Sequence, residues 1–257
     1  MLKLYFNEIK KLKRKKLVRI LCSVSIIVSI FWTVFCIRDS LPYRSLIGLT
    51  ILIGNFLILP CLFSMILLLL FQVEEENGTL KNILTIPIVK WKLCALKLFT
   101  SFTFVIAYNC ITMVCTTIGG SLFLKDFSFS YMGRTLLAYM STALAVVAAT
   151  IPAVLVIIVL RKRFILSMIL VNCMTVIHFL FVWQVTMFNN LNLSLPILVA
   201  YRLTYPLQVI SFKNFTAQMI EGVKILYYPT GIGIGILLGT LVISTGLALL
   251  IYQHQEE

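Results

Sequence analysis

The sequence predicts an all-α polytopic membrane protein, a single transmembrane domain over residues 1–257 with six transmembrane helices and an N-terminal amphipathic interfacial helix. Three observations predict it. Of 257 residues 60% are hydrophobic and only 12% charged, with a mean hydropathy of +1.02. A soluble domain carries about a quarter of its residues charged. Six apolar runs are each long enough to cross a bilayer, which takes about 20 residues. The excess of Lys and Arg, a net charge of +13, lies at the ends of those runs. That placement marks membrane-flanking charge and argues against nucleic-acid binding.

The first span is Leu17–Ile37, uncharged after Arg19. A basic stretch precedes it, as in a signal peptide. It is too long for an apolar signal core, and Arg38-Asp39-Ser40-Leu41-Pro42 offers no small-residue cleavage site, so it reads as a retained helix. The second span lies within Ser45–Val73, the third within Leu98–Leu124, and the fourth is Thr135–Leu160. The fifth runs from Phe164 to about Met187, and the sixth is roughly Ile225–Tyr252. Pro60 and Pro152 are expected to kink the second and fourth.

Loop charge sets the orientation. The N-terminal arm, the loop between spans two and three, and Arg161-Lys162-Arg163 together carry 15 Lys and Arg, against 7 in the alternate loops. By the positive-inside rule both termini are cytoplasmic and the protein belongs in the cell membrane. The connection from Phe188 to Lys224 then lies outside. It carries Asn189, Asn190 and Asn192, then the apolar stretch Leu195–Tyr201, with Pro196 and Pro206. Two readings fit: short, partly re-entrant helices, or an interfacial loop with aromatic anchors.

The spans hold little chemistry. No Asp, Glu, Lys or Arg is expected deep within them, and His178, near Asn172, Thr175 and Trp183, reads as packing rather than a proton relay. The seven cysteines form no C-x-x-C pair and read as small apolar filler, which leaves no metal site. Small residues recur at helical spacing: Cys22, Ser25, Ser29, Thr33 and Cys36 in the first span, Ala138, Ser141, Ala145, Ala148 and Pro152 in the fourth, Gly231, Gly235 and Gly239 in the sixth. Such stripes let helices approach closely.

Two cytoplasmic segments remain. In residues 1–16, Leu2, Tyr5 or Phe6, Ile9 and Leu12 recur at steps of 3 and 4 among Lys3, Asn7, Lys10, Lys11 and Arg14. This is a basic amphipathic helix suited to the lipid headgroup plane, with Tyr5, Ile9 and Leu12 facing the membrane. In the loop of residues 74–92, Glu74, Glu75 and Glu76 are followed by the turn Asn77-Gly78. Thr79 can cap a short helix carrying Leu80, Ile83 and Leu84, and Pro87 stops it. A short capped helix with an apolar face off the membrane suits docking of a cytoplasmic partner. A surface turn folded onto its own bundle fits the same residues.

The run Glu-Glu-Glu-Asn-Gly-Thr-Leu-Lys-Asn-Ile-Leu-Thr-Ile-Pro-Ile-Val-Lys-Trp-Lys-Leu resembles the signature of ABC-2-type permeases, the membrane subunits of ATP-binding cassette exporters. Glu74 or Glu75, Gly78, Thr79, Leu80, Leu84, Pro87, Lys90 and Lys97 fit that pattern, and the six-span layout fits as well. Size and basic N-terminus look most like permeases of bacitracin export and lantibiotic self-protection. The resemblance implies that Glu74, Glu75, Gly78, Thr79, Leu80, Ile83, Leu84 and Pro87 form a coupling helix seated on a separate ATPase dimer. It also implies a second permease copy, identical or related, and export of a lipophilic or peptide antibiotic-like substrate. No Gly-Lys-Ser or Gly-Lys-Thr occurs, so ATP and Mg belong to the partner and this chain is not expected to be an enzyme. A non-transporting sensor or assembly subunit is the alternative, and an intramembrane enzyme, lacking paired acids or a His pair, a more distant one.

Overall fold

The computed structural model describes residues 5–6, 8–9, 17–76, 90–124, 127–129, 132–160, 163–185, 194–210, 224 and 226–255. Among them the chain is all helical, with no strand. Helix α1 is Leu17–Arg38. Helix α2, Tyr43–Thr50, runs into a π-helical segment, Ile51–Ile58, and continues as α3, Leu59–Glu76. Then follow α4 (Lys90–Phe123), α5 (Met132–Thr150), α6 (Pro152–Val159), α7 (Phe164–Trp183), α8 (Pro196–Ile210) and α9 (Thr230–Gln255).

Five segments among the described residues are long and apolar enough to cross a membrane, and Ser23–Arg38 of α1 is a shorter apolar one. The protein is thus a multi-pass helical membrane protein. Tyr43–Val73 is 67% buried and Thr230–His254 only 17%, so the second span is the axis of the bundle and the last a peripheral stave. Both prolines stand where the regular helix is interrupted. Pro60 lacks an N–H and stands where wide π turns give way to α-helix. Pro152 restarts the chain as α6 after a turn at Ile151.

The α1–α2 corner is built by local hydrogen bonds. Leu41 N–H donates to the Cys36 carbonyl at 2.9 Å and Ser40 N–H to Ile37 at 3.3 Å, with Ser40 left-handed at φ 52°. This is a Schellman cap, which usually takes Gly at that position. Pro42, extended, then caps α2. The α1 stripe faces α4: Ser25, Ser29, Thr33 and Cys36 are all buried, and Ser29 Oγ donates to the Thr112 carbonyl at 3.2 Å.

Several expected boundaries shift. The third span begins at Lys90 rather than Leu98 and is 34 residues long. The fifth ends at Trp183, short of Met187, and the sixth starts at Thr230 behind Pro229. The Gly231, Gly235 and Gly239 stripe does not serve close packing within this chain: among the described residues nothing lies within 4 Å of a Cβ built on any of them. The close approaches are elsewhere. A Cβ on Gly119 would come within 2.6 Å of Thr33 Oγ1, and one on Gly120 would enter the Tyr43 ring. The stretch 196–210 is an α-helix despite Pro206, and packs most extensively on α5. Ile197, Leu198, Val199 and Ala200 are fully buried there.

Candidate functional site

The coupling residues fall largely outside the described structure. Glu74 and Glu75 lie in the last turn of α3. Gly78, Thr79, Leu80, Ile83, Leu84 and Pro87 lie outside the described residues, as does Leu12 of the N-terminal segment. What is described is the hairpin that carries the loop. Lys97, two turns into α4, is 0% exposed. Its Nζ donates to the Leu70 carbonyl of α3 at 3.1 Å and sits 4.1 Å above the Phe71 ring. A buried ammonium held by a carbonyl and a ring face pins α3 to α4 just before the loop.

The expectation concerned charge deep within the six spans; Lys97, near the start of a 34-residue helix, is nonetheless a buried charge. Lys97 counts as loop charge only if the third span starts at Leu98; with α4 starting at Lys90 the same residue is interior. Arg202, 3% exposed, is likewise buried, on α8.

Tyr5, Phe6, Glu8 and Ile9 are helical. The Tyr5 ring packs on Phe99 of α4 at 5.4 Å, and Glu8 is buried while Phe6 is exposed. The N-terminal segment therefore touches α4 half a turn from Lys97, beside the loop-bearing hairpin. His178 lines a small closed space with Ser64, Thr150 and Thr175, of about water size at 10 Å³. Among the described residues no group of His, Cys, Asp or Glu is placed to hold a metal ion.

Two features were not foreseen from the sequence. The first is a buried polar cluster centred on Tyr139 of α5. Its hydroxyl meets Thr50 Oγ1 at 2.5 Å and Thr116 Oγ1 at 3.2 Å, linking α2, α4 and α5. Its carbonyl accepts from Asn109 Nδ2 at 2.9 Å. Asn55, inside the π segment, donates to Thr142 Oγ1 at 2.7 Å. Asn55 Oδ1 and Asn109 Oδ1 are buried without a partner among the described residues. The signal was present: two Asn in apolar runs demand partners where no water reaches.

The second is an open apolar cavity, a groove of about 590 Å³ between α4, α5 and α9 with Phe99, Leu144 and Leu238 exposed along it. Phe99, Phe102, Leu144, Leu238 and Leu241 line it, with Thr245 as its polar member. Thr245 turns its hydroxyl to its own helix at Leu241, which leaves apolar walls. The volume falls in the range of small-molecule sites, about 300–1,000 Å³. Phe99 belongs both to this wall and to the Tyr5 contact.

Comparison with known proteins agrees with the helical layout. No curated protein matches the chain. The model of the family described as "ABC-2 family transporter protein" matches residues 4–181. That stretch runs from the N-terminal segment nearly to the end of α7 and covers the pinned hairpin. The chain belongs to the ABC-2 transporter family, whose members are the membrane components of transporters that work with an ATP-binding cassette ATPase.

Proposed function

We propose that the chain is the permease subunit of an ATP-binding cassette exporter, driven through residues 74–92 by a separate ATPase dimer that holds ATP and Mg. Both termini and that loop face the cytoplasm, and two permease copies, identical or related, enclose the path. The observation that carries the reading is the Lys97 clamp. Force on a loop does work on a bundle only if its stems are stiff, and Lys97 fastens the stems together at the mouth of the hairpin. The Tyr5–Phe99 contact sets the amphipathic N-terminal segment, and with it the membrane surface, against the same stem.

A lipophilic or peptide antibiotic-like cargo, as in bacitracin export, suits the cavity between α4, α5 and α9, whose lining is almost wholly apolar. Helix α8, buried on α5, is read as a re-entrant helix of the outer connection.

The test is co-purification with an ATPase, followed by Gly78→Pro and Leu84→Asp in the reconstituted complex. Both variants are expected to retain the thermal midpoint of the wild type and to lose substrate-dependent ATP hydrolysis. Full transport in both would overturn the assignment of the loop.

A further inference from the structure

Arg202 is the most unusual charge among the described residues. It is 3% exposed, on α8, and its Nε and Nη2 are buried with no hydrogen-bond partner among the described residues. These two nitrogens are not an arbitrary pair. They form one edge of the guanidinium, with parallel N–H bonds spaced to receive two oxygens of a carboxylate or phosphate. The opposite demand is met on the ring side: the guanidinium carbon lies 5.9 Å from the Tyr228 ring centre. Tyr228 stands two residues before the first turn of α9 and its hydroxyl lies 3.4 Å from Ser194 Oγ, at the start of the α8 segment. Arg202 is thus held beside the segment that leads into α9, with its binding edge vacant among the described residues.

A buried charge with empty donors is costly, and within a membrane protein such a group marks a site rather than a packing element. Surface anions would not explain it, since a solvated arginine would serve them as well. The phosphate of a lipid headgroup comes to a membrane protein already partly desolvated. Arginine rather than lysine is the residue that suits planar two-point contact with phosphate oxygens.

We propose that the Nε–Nη2 edge of Arg202 is a phosphate-binding site, reached when α8 shifts against α9 and Tyr228. It goes beyond the transport reading and does not depend on ATPase docking, so the full-length permease chain alone tests it. The purified chain in a maltoside detergent, which carries no phosphate, is heated with and without inorganic phosphate, and with and without short-chain phosphatidylglycerol. Wild type is expected to rise in thermal midpoint with phosphatidylglycerol. A rise with inorganic phosphate as well assigns the site to phosphate in general; a rise with the lipid alone assigns it to a headgroup.

Arg202→Met removes the charge and keeps the stem, so it is expected to raise the basal midpoint and to abolish the response to both probes. Arg202→Lys keeps the charge without the fork and is expected to weaken the response about tenfold or more. No response in wild type, or an equal response in Arg202→Met, overturns the proposal. So does recovery of the midpoint of Arg202→Glu by adding Glu221→Arg, which would place the partner within the chain.

Discussion

Lys97 and Leu70 face each other across the α3–α4 hairpin, the ammonium of one donating to the backbone carbonyl of the other at 3.1 Å. Leu70 lies six residues before the end of α3, and Lys97 seven after the start of α4. The bond therefore closes the hairpin about two turns inside its open end. Phe71 adds its ring face to the same ammonium.

Lys97→Ala is expected to cost about 2–4 kcal/mol, from the lost stem packing together with the broken buried charge contacts. Lys97→Met, which keeps the stem volume, is expected to recover at least half of that. The thermal midpoint in detergent measures both. In the reconstituted complex both variants are expected to weaken coupling of ATP hydrolysis to substrate, since neither fastens the stems. Equal midpoints for alanine and wild type would refute the clamp.

Tyr139→Phe deletes one hydroxyl that serves two helices. Thr50 and Thr116 each keep a bond to their own backbone, at Leu46 and Thr112. The loss is therefore that of a cross-helix hydrogen bond in a membrane protein, about 0.6–1.7 kcal/mol. Asn55→Asp should be much worse, because it sets a carboxylate at a fully buried position beside the Tyr139 carbonyl. Expression and thermal midpoint of the pair are the measurement; an aspartate variant as stable as the phenylalanine one would contradict the cluster.

Glycine substitutions separate tight from open helix faces. Gly120→Ala is expected to lower the midpoint by several degrees, since its methyl would meet the Tyr43 ring, itself packed on Phe127. Gly235→Ala, with nothing near it in the chain, is expected to be neutral or slightly stabilising by helix propensity. The reverse order would place α9 differently in the bundle.

Ser40→Gly should stabilise. The residue is left-handed, a conformation that costs an L side chain about 1–2 kcal/mol. Part of that returns with glycine, less its greater freedom when unfolded. The expected gain is about 0.5–1 kcal/mol by chemical or thermal unfolding, and a loss would show that the Ser40 side chain has a role in the α1–α2 corner.

Ala145→Trp is designed to fill the apolar cavity. Substrate-stimulated ATP hydrolysis in the reconstituted complex should fall severalfold while the thermal midpoint holds. Stimulation at the wild-type level would remove this cavity from the transport path.

Much of this fold is legible in the sequence because lipid imposes a simple rule on each span. Apolar length placed the long helices, with the largest shift the start of α4 at Lys90 instead of Leu98, and the α1 stripe correctly faces a neighbour. What was hidden depends on tertiary context. Lys97 reads as a loop charge until its own helix is known to start at Lys90. The stretch with Pro196 and Pro206 reads either as short helices or as an interfacial loop; Pro196 opens α8, where its missing N–H is harmless, and packing on α5 holds the helix through Pro206. The glycine repeat of α9 has the spacing of a packing face, but spacing does not say what packs. The polar cluster needed Asn55, Asn109 and Tyr139 to be brought together from three helices, which no local pattern reveals. The run of residues 74–92 is visible as residue order alone, and the family match shows the kind of protein it belongs to.

The wide turns at Ile51–Ile58 have a rotational consequence. A π turn takes up one residue more than an α turn, so it offsets the azimuth of everything after it by about 100°. The direction in which Glu74 and Glu75 leave the bundle is thereby geared to the conformation around Asn55. Removing one residue from that segment would let it relax to ordinary α-helix with the downstream helix in its present phase, whereas relaxing to α-helix at the same length would turn that end by about 100°. The segment fixes the angular phase between the two ends of the molecule's central rod.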